Sequence, residues 1–117
     1  MVMQAAMNPA LGYALANATV SAAMAAEGLV GRGDEQAAEE AAAAAMQAAL
    51  NIVNMSGVVV VGEADGSILN VGEKVGTGSG PKIEIALDPL EGTTLCATGG
   101  QNALSVIAAA EEGGFLH

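Results

Sequence analysis

Apolar positions fall into two textures along this chain, and the change comes near residue 54. From about Pro9 to Leu29 the sequence is built mainly from Ala, Met and Leu, all strong helix formers. Gly31-Arg32-Gly33 interrupts that run. Asp34 is then placed to cap a second helix, EQAAEEAAAAAMQAALNIV, whose acids crowd the first turns as the helix macrodipole prefers. Two helices joined by a short glycine turn predict a helical hairpin over about 9–54.

After Asn54 the apolar runs become short, β-branched and bounded by glycines. GVVVVGE reads as a buried strand, and SILNVGEKV, beyond a turn at Ala64-Asp65-Gly66, as its hairpin partner. VGTGSGP reads as a loop; it lacks the Gly-Lys-Ser/Thr ending of a phosphate-binding P-loop. KIEIALD predicts a third strand, ended by Pro89, and NALSVIAAA a fourth, closed by the turn signal EEGG. The predicted fold class is α/β in the broad, layered α+β sense: an N-terminal helical hairpin followed by a mainly antiparallel sheet over about 57–117. The whole of 1–117 is read as a single N-terminal part of a domain. With only three residues after EEGG, the fourth strand is expected to lack its hairpin partner and to leave an open sheet edge.

Charge narrows the function. There are 13 acids against three bases (Arg32, Lys74 and Lys82), a net charge of −10. Nucleic-acid phosphates and anionic membrane surfaces would be repelled, so neither is an expected partner. An anionic substrate is compatible only if divalent cations stand between it and the carboxylates. Cys96 is the sole cysteine, which precludes an internal disulfide and fits a reducing compartment. No Lys or Arg precedes Arg32, so neither a secretory n-region nor an Arg-rich transit peptide is read, and no apolar run reaches the roughly 18 residues of a membrane span.

The chemistry-bearing stretch is LDPLEGTT, Leu87 to Thr94. Asp88 and Glu91 straddle a proline, and hard cations such as Mg²⁺ or Mn²⁺ want oxygen ligands of this kind. Backbone amides around Gly92 to Thr94 suit a phosphate. Glu63 ends its own strand and meets the same pair if the strand ends cluster. Against this stands the plainer reading of a solvated acidic turn, a charged strand end, and a solvated helix face for Glu35, Glu39 and Glu40. Cys96 and the methionines read as core, Arg32-Gly33-Asp34 as a helix-start turn, and His117 carries no assignable role.

Four blocks in order, GRGD at 31–34, GEKVGTGSGP at 72–81, IALDPLEGTTL at 85–95 and QNALSVIAAAEEGGFL at 101–116, resemble the class II fructose-1,6-bisphosphatases. Some cyanobacterial and algal members also hydrolyse sedoheptulose-1,7-bisphosphate. DPLEGT is also similar to the signature of the wider inositol monophosphatase-like phosphatases, with Glu91 where Asp is usual. The resemblance covers roughly the first third of the family's usual length. It implies a layered sugar-phosphatase in which divalent metal, Mg²⁺ or Mn²⁺, activates water against a sugar bisphosphate in gluconeogenesis, glycerol metabolism or the Calvin cycle. It implies metal ligation by Glu39, Glu63, Asp88 and Glu91, water orientation by the catalytic Thr93, and substrate-phosphate contact by Glu91, Gly92 and Thr93. It further implies a homo-oligomer in the full-length family and a cytoplasmic location, or the chloroplast in a photosynthetic eukaryote.

The sequence departs from the family in two places. Glu39 stands where the family has an aspartate, followed by Glu40 rather than glycine, and GEADGSILNVGE is a few residues shorter than the family's acidic loop. Two rival readings follow: a relative acting on inositol or nucleotide phosphates, or an inactive metal-binding or subunit-association module. Turnover by the 117 residues alone is not expected, since three bases are thin provision for two substrate phosphates.

Overall fold

The computed structural model describes residues 2–5, 9–27, 29, 34–63, 68–91 and 104–113. The order is β1 (Val2–Ala5), α1 (Pro9–Glu27), α2 (Glu35–Asn51), β2 (Ser56–Val61), β3 (Lys74–Val75), β4 (Lys82–Glu91) and β5 (Leu104–Glu111). After β1, two helices and then four strands follow, in the α+β layout that the sequence predicts.

Pro9 starts α1 where its missing N–H costs nothing and its fixed φ suits a first turn. Leu11, Leu15, Ala18, Ala22 and Ala26 recur along one face of α1 and are buried. Asp34 caps α2 as predicted, its side chain accepting from Ala37 N at 2.9 Å. Ala38, Ala42, Met46 and Leu50 form the buried face of α2. Alanines at this seam let the two helix axes approach closely, and the larger volume of the core comes from the sheet: Val59, Ile83, Ile85, Leu87 and Ile107. Of the methionines read as core, Met46 and Met55 are fully buried while Met24 is 66% exposed; Cys96 lies outside the described residues. No helix among the described residues is long and apolar enough to cross a membrane.

The sheet runs β1-β5-β4-β2-β3. It is mixed rather than mainly antiparallel. β2–β3 and β4–β5 are antiparallel, but β2–β4 and β1–β5 are parallel. The predicted hairpin partner of β2 shrinks to the two residues Lys74–Val75, opposite Val58 and Gly57. The expected open edge on β5 is instead covered over Ile107–Ala110 by β1, a strand the sequence reading did not include.

Two further details correct the strand readings. β4 does not end at Pro89 but passes through it to Glu91. A β-bulge between Asp88 and Glu91 absorbs the residue that cannot donate to the ladder, and Pro89 itself is fully buried. The glycine-rich stretch between β3 and β4 spends its amides on the protein. Thr77 N donates to Val53 O at 2.9 Å and Gly78 N to Met55 O at 3.0 Å, clamping the loop onto the α2–β2 connection. Gly76 has φ +93°, and a Cβ there would collide with the carbonyl oxygen of Met55.

Candidate functional site

Topology places the predicted carboxylates. β2 and β4 are neighbours running in the same direction, and β2 ends beside the middle of β4, which runs on to Glu91. Val61 stands opposite Ala86, two residues before Glu63 and Asp88 respectively. α2 is joined to β2 by the short connection 52–55 and packs on the sheet, chiefly against β4. Glu39, in the second turn of α2, is half-buried; Glu40 beside it is exposed and accepts from Gln36 Nε2 at 2.9 Å. The structure therefore separates two adjacent acids that the sequence leaves equivalent.

Asp88 is exposed, and its Oδ1 accepts from Leu90 N at 3.2 Å across the buried Pro89. That bond replaces part of the ladder lost at the bulge and leaves the second carboxylate oxygen outside it. Glu63 is half-buried, just past the end of β2, and forms an isolated bridge with Asn70. Glu91 ends β4 opposite Leu104; its side chain, with all of Gly92 and Thr93, lies outside what the structure describes. Among the described residues no group of three or more His, Cys, Asp or Glu side chains is close enough to hold a metal ion. What the described part establishes is that Glu63 and Asp88 each follow by two residues a paired position of neighbouring parallel strands; it does not bring Glu39 into one group with them.

The donor chemistry at this end fits a hard divalent cation. Glu39, Glu63 and Asp88 offer carboxylate oxygens only, which suits Mg²⁺ or Mn²⁺ and not a metal that seeks sulfur or imidazole. Among the described residues the bases are two lysines, both exposed. Lys82 starts β4, six residues or roughly 20 Å of extended strand before Asp88. There it forms an exposed ion pair with Glu112 at 3.8 Å. Lys74 is exposed on β3, and Arg32 lies outside the described residues. A groove at the opposite end of the molecule, lined by Ala10, Leu11, Ala14, Ile52, Val53 and Pro81 among others, is apolar and remote from the carboxylates.

One acid went unremarked in the sequence. Glu73 is half-buried with both carboxylate oxygens engaged: Oε1 accepts from Leu69 N at 2.6 Å and Oε2 from Gln47 Nε2 at 2.8 Å. Its place inside the GEKVGTGSGP block was a signal, but nothing local said that its partners would be an α2 side chain and a buried leucine amide.

Comparison with known proteins adds a separate line of observation. A family model described as "Bacterial fructose-1,6-bisphosphatase, glpX-encoded" matches residues 9–117. A class 2 fructose-1,6-bisphosphatase of Haemophilus influenzae is 44% identical over 113 residues, covering 94% of this chain and 34% of the relative. Fructose-1,6-bisphosphatase 1 class 2 of Escherichia coli K12 is 44% identical over 114 residues, covering 95% of this chain and 34% of its own. The Shigella flexneri class 2 enzyme matches to the same extent. The chain thus spans about a third of the length of the curated relatives it matches.

Proposed function

Because this chain belongs to the bacterial, glpX-encoded fructose-1,6-bisphosphatase family, we propose that it carries the metal-binding N-terminal part of a phosphatase that hydrolyses the 1-phosphate of fructose-1,6-bisphosphate. Sedoheptulose-1,7-bisphosphate, one carbon longer and of the same charge, is a second candidate substrate. The observation that carries this reading is the parallel pairing of β2 and β4, which sets Val61, two residues before Glu63, opposite Ala86, two residues before Asp88.

In this reading Glu63, Asp88 and Glu91, with Glu39 from α2, would hold Mg²⁺ or Mn²⁺. A cation there would supply water of lowered pKa and positive charge for the phosphoryl oxygens. The chain's own residues do the rest of the local work. The hydroxyl of Thr93 orients the attacking water toward phosphorus, and the backbone of Glu91-Gly92-Thr93 holds the phosphate. The Asp88 carboxylate, fixed by its bond from Leu90 N, presents its remaining oxygen without needing to reorganise.

Few cations and a carboxylate-lined edge make this chain poor at binding two phosphates by itself, so residues beyond this segment supply the charge that fixes the sugar. The test is phosphate release from fructose-1,6-bisphosphate with Mn²⁺, using a protein of the relatives' length that carries these 117 residues. Asp88→Asn and Thr93→Ala are each expected to abolish release. Full activity in either variant overturns the assignment of the site.

A further inference from the structure

We propose that Glu73 is a positioning residue for Glu63: it holds a left-handed turn at Leu69 whose carbonyl seats the backbone of the strand-end acid. The proposal rests on the reading of Glu63 as a metal ligand, but its geometry stands independently. Glu63 lies past the end of β2, in an isolated bridge with Asn70. Its N–H donates to Leu69 O at 3.0 Å. Leu69 has φ +59°, the one non-glycine residue with positive φ among the described residues, and its side chain is fully buried. A leucine is disfavoured in that conformation and stays there only when its surroundings over-determine it.

Glu73 supplies much of that determination. Oε1 accepts from Leu69 N, directly bracing the left-handed residue, and Oε2 accepts from Gln47 Nε2 on α2. Its own backbone is pinned as well: Glu73 N donates to Asn70 O at 3.0 Å, and Glu73 O accepts from Val59 N at 2.9 Å. A continuous path of hydrogen bonds therefore runs from α2 through Gln47, Glu73 and Leu69 to Glu63. The helix that bears Glu39 and the strand end that bears Glu63 are tied together by a carboxylate whose two oxygens are both already engaged. Such partners behind a ligand tune its placement, and their loss typically weakens metal binding by about ten- to a hundredfold.

The test uses the 117-residue chain, with amide hydrogen exchange at Leu69 and Glu63 and Mn²⁺ titration followed calorimetrically well below the unfolding midpoint. Glu73→Ala is expected to lose protection at both amides and to weaken Mn²⁺ binding about tenfold. Glu73→Gln retains an oxygen for Leu69 N and is expected to keep both protection and affinity within about twofold. A folded Glu73→Ala chain with unchanged protection or unchanged Mn²⁺ affinity overturns the proposal. So does a Glu73→Gln chain as damaged as Glu73→Ala, which would assign the effect to charge rather than placement. Should Glu73→Ala not fold, Gln47→Ala takes its place, with loss of Leu69 protection expected and full protection overturning the idea. Asp88→Asn separates the two layers of argument. If it binds Mn²⁺ as the parent does, the metal-site reading has failed, and the exchange data alone then decide whether Glu73 seats Glu63.

Discussion

Gly76 and Gly78 offer a matched pair for testing the loop between β3 and β4. Both have left-handed backbones, φ +93° and +88°, so alanine at either should cost roughly 1 kcal/mol in backbone strain. Their surroundings differ. A Cβ on Gly78 would meet nothing within 4 Å, whereas one on Gly76 would run into the carbonyl oxygen and side chain of Met55. Met55 is fully buried and its carbonyl belongs to the backbone, so the loop must move instead. Moving it strains the bonds from Thr77 N to Val53 O and from Gly78 N to Met55 O, each worth about 1 kcal/mol net. The expected destabilisation is therefore about 1 kcal/mol for Gly78→Ala and about 3 kcal/mol for Gly76→Ala. With an unfolding entropy of about 2.1 cal/mol/K per residue, 117 residues give roughly 0.25 kcal/mol/K. The midpoints should then fall by about 4 °C and about 12 °C. Thermal unfolding followed by circular dichroism at 222 nm reads both. Equal shifts, or a larger one for Gly78→Ala, would refute the claim that this loop is clamped onto the α2–β2 connection.

Three other outcomes are expected. Leu15→Ala, at a fully buried position of α1, should cost about 2–5 kcal/mol, since neighbouring alanines are too short to collapse into the space; Leu11→Ala, at the rim, should cost less, and urea titration compares them. Mn²⁺ at a hundred times its dissociation constant should stabilise the chain by about 2.7 kcal/mol, and Asp88→Asn should remove most of that gain in a melting assay; a parent midpoint indifferent to metal counts against a formed site. The 117 residues alone with Mn²⁺ should release no phosphate from fructose-1,6-bisphosphate above the buffer rate, and turnover equal to that of a protein of the relatives' length would refute the inference that further cationic residues are required.

The proposed site draws two opposite kinds of support from its segment. The DPLEGT stretch advertises its carboxylates through composition, whereas Glu73 is marked only by its place in the GEKVGTGSGP block. An acid whose purpose is to accept one amide and one side chain looks, in sequence, like any acid on a loop. Exposure also divides residues that the sequence treats alike, as with half-buried Glu39 and exposed Glu40. Their difference comes from the angle at which α2 lies on the sheet.

Local chemistry determined the elements. Ala- and Leu-rich runs made α1 and α2, Asp34 capped the second, and β-branched runs made β2, β4 and β5, because propensity and capping act within a few residues of chain. The resemblance of four motifs was also available from residue order alone. Tertiary structure decided which strands met. GVVVVGE could satisfy its backbone against the segment just after it or against KIEIAL, and the sheet uses both edges: two residues of antiparallel β3 on one side, the long parallel β4 on the other. Pairing partners are chosen by how much apolar surface the whole sheet can bury beneath the helices, a sum over distant residues that no local window contains. That same choice set Val61 opposite Ala86, each two residues before a predicted carboxylate, let Pro89 sit in a bulge rather than end its strand, and drew Val2–Ala5 onto the outer edge of β5.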